Sequence, residues 1–175
     1  MSSKLVPAVQ RALVAEGWAA LRFNFRGVGR SEGSFGGGVD EVGDVAGALG
    51  ILRETVGRPH AVIGWSFGAL VALNAVAQDP EVDTFVGIAP PAHSAFDGHF
   101  PLPPMPDLDR WEARALLVCG TEDPFCRPDD LRKLSPPLAG AVVHVLDGAD
   151  HFFNAELDEL CALVAAFATG ARATG

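Results

Sequence analysis

At 175 residues the chain is long enough for one domain with a buried core but too short for two full ones. Hydrophobic residues make up 49% and charged residues 20%, which excludes a disordered polyelectrolyte, and no apolar run reaches the roughly 18 to 20 residues that a membrane helix needs. The net charge of -9 has the wrong sign for gripping a phosphate backbone, so nucleic acid and membrane are both set aside as partners.

Residues 1–10, MSSKLVPAVQ, lack the basic-then-apolar layout of a signal peptide, and a cytoplasmic setting is the default. Leu5, Val6, Val9 and Leu13 then recur at helical spacing, with Pro7 tolerable in the first turn and Gly17 placed to end the helix. Ala19 to Phe25 reads as a strand, and Arg26 to Gly38 carries too much glycine to be anything but a loop. A second helix is expected through Val42, Val45, Leu49, Leu52 and Val56, begun by Asp40 and Glu41 and stopped by Gly57.

Ala61 to Trp65 is the next strand, followed by a helix from Phe67 to Gln78 that Asp79-Pro80 closes. Further strands are expected at Thr84 to Ala89, Ala115 to Cys119 and Ala141 to Leu146, and a last helix at Ala155 to Ala168 with Asn154 as N-cap and Leu157, Leu160, Cys161 and Val164 on its buried side. The strands are mostly unbroken apolar runs, as strands covered on both faces should be. Alternation of strands with helices predicts a single α/β domain over residues 1–175: a mostly parallel sheet of about five strands with helices on both faces. One stretch breaks the rhythm. Pro90 to Pro106 holds six prolines together with His93, Phe96, His99 and Phe100, and residues 90–110 are expected to form a loop or minimal lid.

Three turns carry chemistry. Gly64-Trp65-Ser66-Phe67-Gly68 fits G-x-S-x-G at a strand-to-helix junction, where a tight turn exposes a serine hydroxyl above the sheet and glycines allow strand and helix to approach. A serine is a weak nucleophile unless a base, itself oriented by a third group, lies within hydrogen-bond reach. Gly120-Thr121-Glu122-Asp123-Pro124 follows one strand, and Asp147-Gly148-Ala149-Asp150-His151 follows another. In a parallel sheet all such strand ends lie on one side, so Ser66, Asp123 and His151 are expected to converge in the order Ser, Asp, His.

Glu122 is an alternative acid, but the extended conformation forced before Pro124 favours Asp123. Asp150 is expected to face solvent, His60 lies at the wrong edge of its strand, His144 sits inside one, and His93 and His99 read as exposed loop residues. Cys119, Cys126 and Cys161 fit neither a disulfide framework nor a zinc site and read as buried hydrophobes, with only Cys126 close enough to the acid turn to merit a reactivity test. No ligand cluster calls for a metal or cofactor. A nucleotide site on Gly27-x-Gly29 is disfavoured, because Glu32 stands where the third glycine would be.

Together the GWSFG, GTEDP and GADHFF turns, with Asn24-Phe25-Arg26-Gly27-Val28-Gly29-Arg30-Ser31 upstream, resemble the α/β-hydrolase superfamily, in particular its small lid-poor bacterial members related to dienelactone hydrolase and the serine aminopeptidase-like enzymes. The resemblance implies a serine hydrolase in which Ser66 attacks, His151 moves the proton, Asp123 orients the imidazole and the backbone N–H of Phe67 serves the oxyanion hole. The implied substrate is a small-molecule ester or thioester, with Trp65, Phe67, Phe96, Phe100, Phe125 and Phe152 near the mouth. Arg26 is expected to tie loops together, and the chain is compatible with homo-oligomer formation.

Relatives of this kind also have strands before the first helix. One of them is central, between the equivalents of Ala19 to Phe25 and Ala61 to Trp65, and its following loop gives the second oxyanion donor. The resemblance therefore implies an N-terminally truncated hydrolase, or else a catalytically impaired, hydrolase-like binding module.

Overall fold

The computed structural model describes residues 4–58, 61–91, 102–108, 111–134, 138 and 140–170. Five helices, α1 (Leu5–Ala15), α2 (Glu41–Thr55), α3 (Phe67–Ala77), α4 (Pro128–Leu134) and α5 (Leu157–Thr169), accompany four strands, β1 (Ala61–Trp65), β2 (Thr84–Ile88), β3 (Arg114–Gly120) and β4 (Val142–Leu146), among the described residues.

The strands form one parallel sheet in the order β1-β2-β3-β4. Parallel neighbours need crossovers; α3 joins β1 to β2 and α4 joins β3 to β4, and the right-handed rule puts both helices on one face. Every residue of β2, and every residue of β3 after Arg114, is buried, so the centre of the sheet is covered on both faces. α3 lies against β1 and β2 and packs on α2, while α1 and α5 pack on each other. α1 buries Leu5, Val9 and Leu13 at the expected spacing and ends at Glu16, with Gly17 following at a φ of 85°. Val6 of the same apolar set is 40% exposed.

Three expectations are corrected. Ala19 to Phe25 is extended but is not a strand, and Leu21 and Phe23 remain more than 40% exposed. Its apolar pattern is that of a strand, yet a strand exists only through ladder hydrogen bonds, and this segment makes none to β1. The sheet accordingly has four described strands rather than five. The last helix begins at Leu157 after Glu156 rather than after an Asn154 cap; the Asn154 amide reaches back 3.5 Å to Asp150 instead. The seven-residue α4 is additional. Its signals were Pro128 at the first turn, Asp129 and Asp130 behind it and Arg132 and Lys133 at the far end, with Leu131 as its one buried residue.

No described helix is long and apolar enough to cross a membrane. Most of the Pro-rich stretch expected as a lid, with His93, Phe96, His99 and Phe100, lies outside the described residues, as does His60.

Candidate active site

The GWSFG turn is built by close backbone approach. A Cβ on Gly64 would lie 2.4 Å from the Gly68 carbonyl oxygen and 2.5 Å from the Ala69 Cα, so only glycine lets β1 run this tightly into α3. Gly68 is less constrained, since a Cβ there would meet only the Phe25 ring at an ordinary 3.6 Å. Ser66 takes φ 54° and ψ -129°, a conformation costly for a residue with a Cβ. Its N–H donates to the Ile88 carbonyl at 2.8 Å, and its own carbonyl accepts from the Ala69 N–H at 2.8 Å. The turn is thereby tied to β2 on one side and α3 on the other, and Ser66 stays partly accessible.

The acid and histidine turns are fastened to each other. Gly120, the last residue of β3, passes so close to the second turn that a Cβ would sit 1.9 Å from the Ala149 carbonyl oxygen. Past it, the Thr121 N–H donates to Leu146, the Glu122 N–H donates to Ala149, and the Gly148 N–H donates to the Thr121 hydroxyl. Glu122 is exposed and contributes only its backbone, while Asp123 is 2% exposed. Asp123 Oδ1 accepts the N–H groups of Phe125 at 2.8 Å and Cys126 at 3.0 Å, leaving Oδ2 for His151.

The three expected residues are brought together. His151 Nδ1 lies 2.8 Å from Asp123 Oδ2, and its Nε2 lies 2.9 Å from Ser66 Oγ. With Nδ1 protonated, it donates to the carboxylate and Nε2 is free to accept the serine hydroxyl proton. His151 is 6% exposed, and its ring stands among those of Phe125, Trp65 and Phe152, with centroids 4.9, 5.6 and 5.6 Å away. The Trp65 indole N–H donates to the His151 carbonyl at 3.1 Å, so the residue before the serine also holds the backbone of the histidine turn. Phe153, which follows, is fully buried at a φ of 53°. Asp150 is exposed as expected, but it also caps this turn by accepting the Phe152 N–H at 2.8 Å.

Sequence reasoning missed two residues that place and shape the Gly-rich loop. Phe35 packs on Phe67 with centroids 5.6 Å apart, bringing the loop to the mouth; its signal was a lone aromatic among glycines. Glu41 is completely buried and accepts the N–H groups of Gly36 and Gly38 at 2.7 and 2.8 Å, which shapes the same loop. Arg26 fastens the loop's other end. Its guanidinium and backbone N–H both donate to Asp44, and that hydrogen bonding holds the Asp44 carboxyl below the usual carboxylate range.

His144 is half-buried within β4, away from the strand ends that build the site. All three cysteines are buried. Cys126 is buried as expected, and its hydrogen bond to Cys119 together with that burial pushes its thiol above the ordinary range. Among the described residues no group of three or more His, Cys, Asp or Glu is placed to hold a metal ion.

A family model, described as Serine aminopeptidase, S33, matches residues 1–106, which carry the serine turn and the loop before it. The chain belongs to this hydrolase family. An uncharacterised protein of Rickettsia prowazekii, RP471, is 34% identical over 172 residues, covering 91% of this chain and 68% of that one. Among solved structures, an alpha-beta serine hydrolase homologue from Coxiella burnetii is 30% identical with a TM-score of 0.77, over 94% of this chain and 76% of that one. XC6422 from Xanthomonas campestris, a serine hydrolase without a lid, is 27% identical with a TM-score of 0.78, over 100% of this chain and 77% of that one.

Proposed function

We propose that this member of the hydrolase family cleaves small carboxylic esters or thioesters through an acyl-enzyme on Ser66. The observation that carries the reading is the continuous hydrogen-bonded chain from Ser66 Oγ through His151 to the buried Asp123 carboxylate, 2.9 and 2.8 Å per link. As Ser66 Oγ attacks the substrate carbonyl, Nε2 of His151 takes its proton, and Asp123 stabilises the imidazolium that forms. Charge developing on the carbonyl oxygen is met by the Phe67 N–H, the first of α3, at the positive end of that helix. His151 then returns the proton to the leaving alkoxide or thiolate. Water repeats the sequence to release the acid.

An ester or thioester suits the surroundings, because Trp65, Phe67, Phe35 and Phe152 line the approach with apolar surface. The test is hydrolysis of short p-nitrophenyl esters by the wild type and Ser66→Ala, alongside labelling with a fluorophosphonate. Labelling and turnover that are both lost in the variant are expected. Equal rates in the two proteins overturn the proposal, and labelling without turnover would instead favour a hydrolase-like binding module.

A further inference from the structure

Two exposed aromatic rings bracket the serine turn, and they have different mechanistic neighbours. Phe35, 50% exposed, packs on Phe67, the residue after Ser66, whose N–H meets the carbonyl oxygen. Phe152, 41% exposed, packs on Trp65, the residue before Ser66, with centroids 5.7 Å apart, and stands nearly perpendicular to the His151 ring at 5.6 Å. A single exposed Phe carries no message by itself. The position of this one does, because the imidazole it adjoins must hand its proton to the leaving group.

The histidine turn holds Phe152 outward. Its neighbours on both sides are buried, and Phe153 takes a left-handed φ of 53° to be so. Asp150 binds the Phe152 N–H at 2.8 Å, and the Trp65 indole that its ring packs on is bound to the His151 carbonyl at 3.1 Å. The ring is therefore a fixed platform, with Trp65 behind it and the rest of its surface open beside the base. The surrounding charge is negative: Glu122, Asp147 and Asp150 are exposed on the acid and histidine turns, against the exposed Arg127 that follows the first of them. Asp150 lies at the base of the platform itself.

We propose that Phe152 determines leaving-group specificity: the alcohol portion of the substrate lays an uncharged apolar group, best an aromatic ring, on Phe152, and Asp150 turns away leaving groups that carry negative charge. The side of the carbonyl that faces His151 is the side from which the alcohol departs, so the acyl group lies elsewhere and Phe152 does not read it. This proposal rests on the hydrolase reading and narrows it from esters or thioesters to esters of apolar alcohols, with thioesters of the polyanionic coenzyme A disfavoured.

The test compares butyrate esters of methanol, benzyl alcohol and para-carboxybenzyl alcohol. All three form the same acyl-enzyme, so their kcat/KM values differ only through the step that expels the alcohol. Wild type should favour the benzyl ester over each of the others by about tenfold. In Phe152→Ala the benzyl-to-methyl ratio should fall by about tenfold, whereas in Phe152→Tyr, which keeps the ring, it should stay within about twofold of wild type. A general disturbance of the histidine turn slows both esters and cancels in the ratio. Asp150→Asn keeps an oxygen for the Phe152 N–H and should narrow the gap between the benzyl and para-carboxybenzyl esters by about threefold.

An unchanged benzyl-to-methyl ratio in Phe152→Ala overturns the proposal while the hydrolase reading stands. So does wild-type turnover of para-carboxybenzyl butyrate or butyryl-coenzyme A that equals or exceeds that of benzyl butyrate. Ester turnover that survives Ser66→Ala, or no turnover of any of these substrates, overturns the hydrolase reading and this proposal with it.

Discussion

Replacing Gly120 with alanine probes the join between the acid and the base. The new Cβ would lie 1.9 Å from the Ala149 carbonyl oxygen, about 1.5 Å short of the ordinary contact that begins at 3.4 Å. Neither side can yield alone, because Thr121 and Glu122 donate across the gap to Leu146 and Ala149. Overpacking of this kind costs about 1 to 3 kcal/mol, and losing one of the two backbone bonds adds about 1 kcal/mol. Urea denaturation should therefore show a lower midpoint with an unchanged slope, corresponding to a loss of about 2 to 4 kcal/mol.

The shift also separates Asp123 from His151, whose 2.8 Å bond would break if the turns parted by as much as the steric shortfall. Misplacement by about 1 Å costs on the order of 10²-fold in rate, so ester turnover should fall by at least that factor in the fraction that folds. A variant within about 0.5 kcal/mol of wild type, with unchanged turnover, would refute the claim that this approach sets the geometry.

At the serine turn, Gly64→Ala should destabilise strongly while Gly68→Ala changes stability by less than about 1 kcal/mol, as thermal melts of both variants can check. Asp123→Asn would present an amide N–H to Nδ1 and favour the wrong imidazole tautomer, so turnover should drop by about 10⁴-fold while fluorophosphonate labelling slows with it. Asp44 titrates below the usual range in the folded state, so its contribution to stability is present above about pH 4 and is lost as pH falls through the depressed value. Asp44→Asn should be less stable than wild type at pH 7, with the gap in urea midpoint closing in acid. Cys126 should resist iodoacetamide in the native protein and react only after denaturation, which mass spectrometry can follow.

What could be read from the sequence was whatever local chemistry dictates. β1 to β4 are short apolar runs bounded by turn residues, and each of Ser66, Asp123 and His151 follows one of them, so their convergence came from the shared direction of the strands. Features that depend on a distant partner were not readable. Ala19 to Phe25 has the composition of a strand, but pairing is a property of two segments and its neighbour is a groove. Nothing local marks Glu41, rather than Asp40 beside it, as the carboxylate to be buried; its place is fixed by the Gly36 and Gly38 amides that it must reach. Nor could the indole of Trp65 be seen holding the backbone of His151, 86 residues away.

The strained backbone of Ser66 sets stability against selection for activity. At φ 54° and ψ -129° a glycine would sit without the penalty of about 1 to 3 kcal/mol that a side chain brings. Ser66→Gly should therefore melt higher than wild type while lacking the hydroxyl. A library of this chain sorted only for thermal resistance would enrich for the loss of the proposed nucleophile, and each round would have to be paired with a screen for covalent labelling to keep the serine in place.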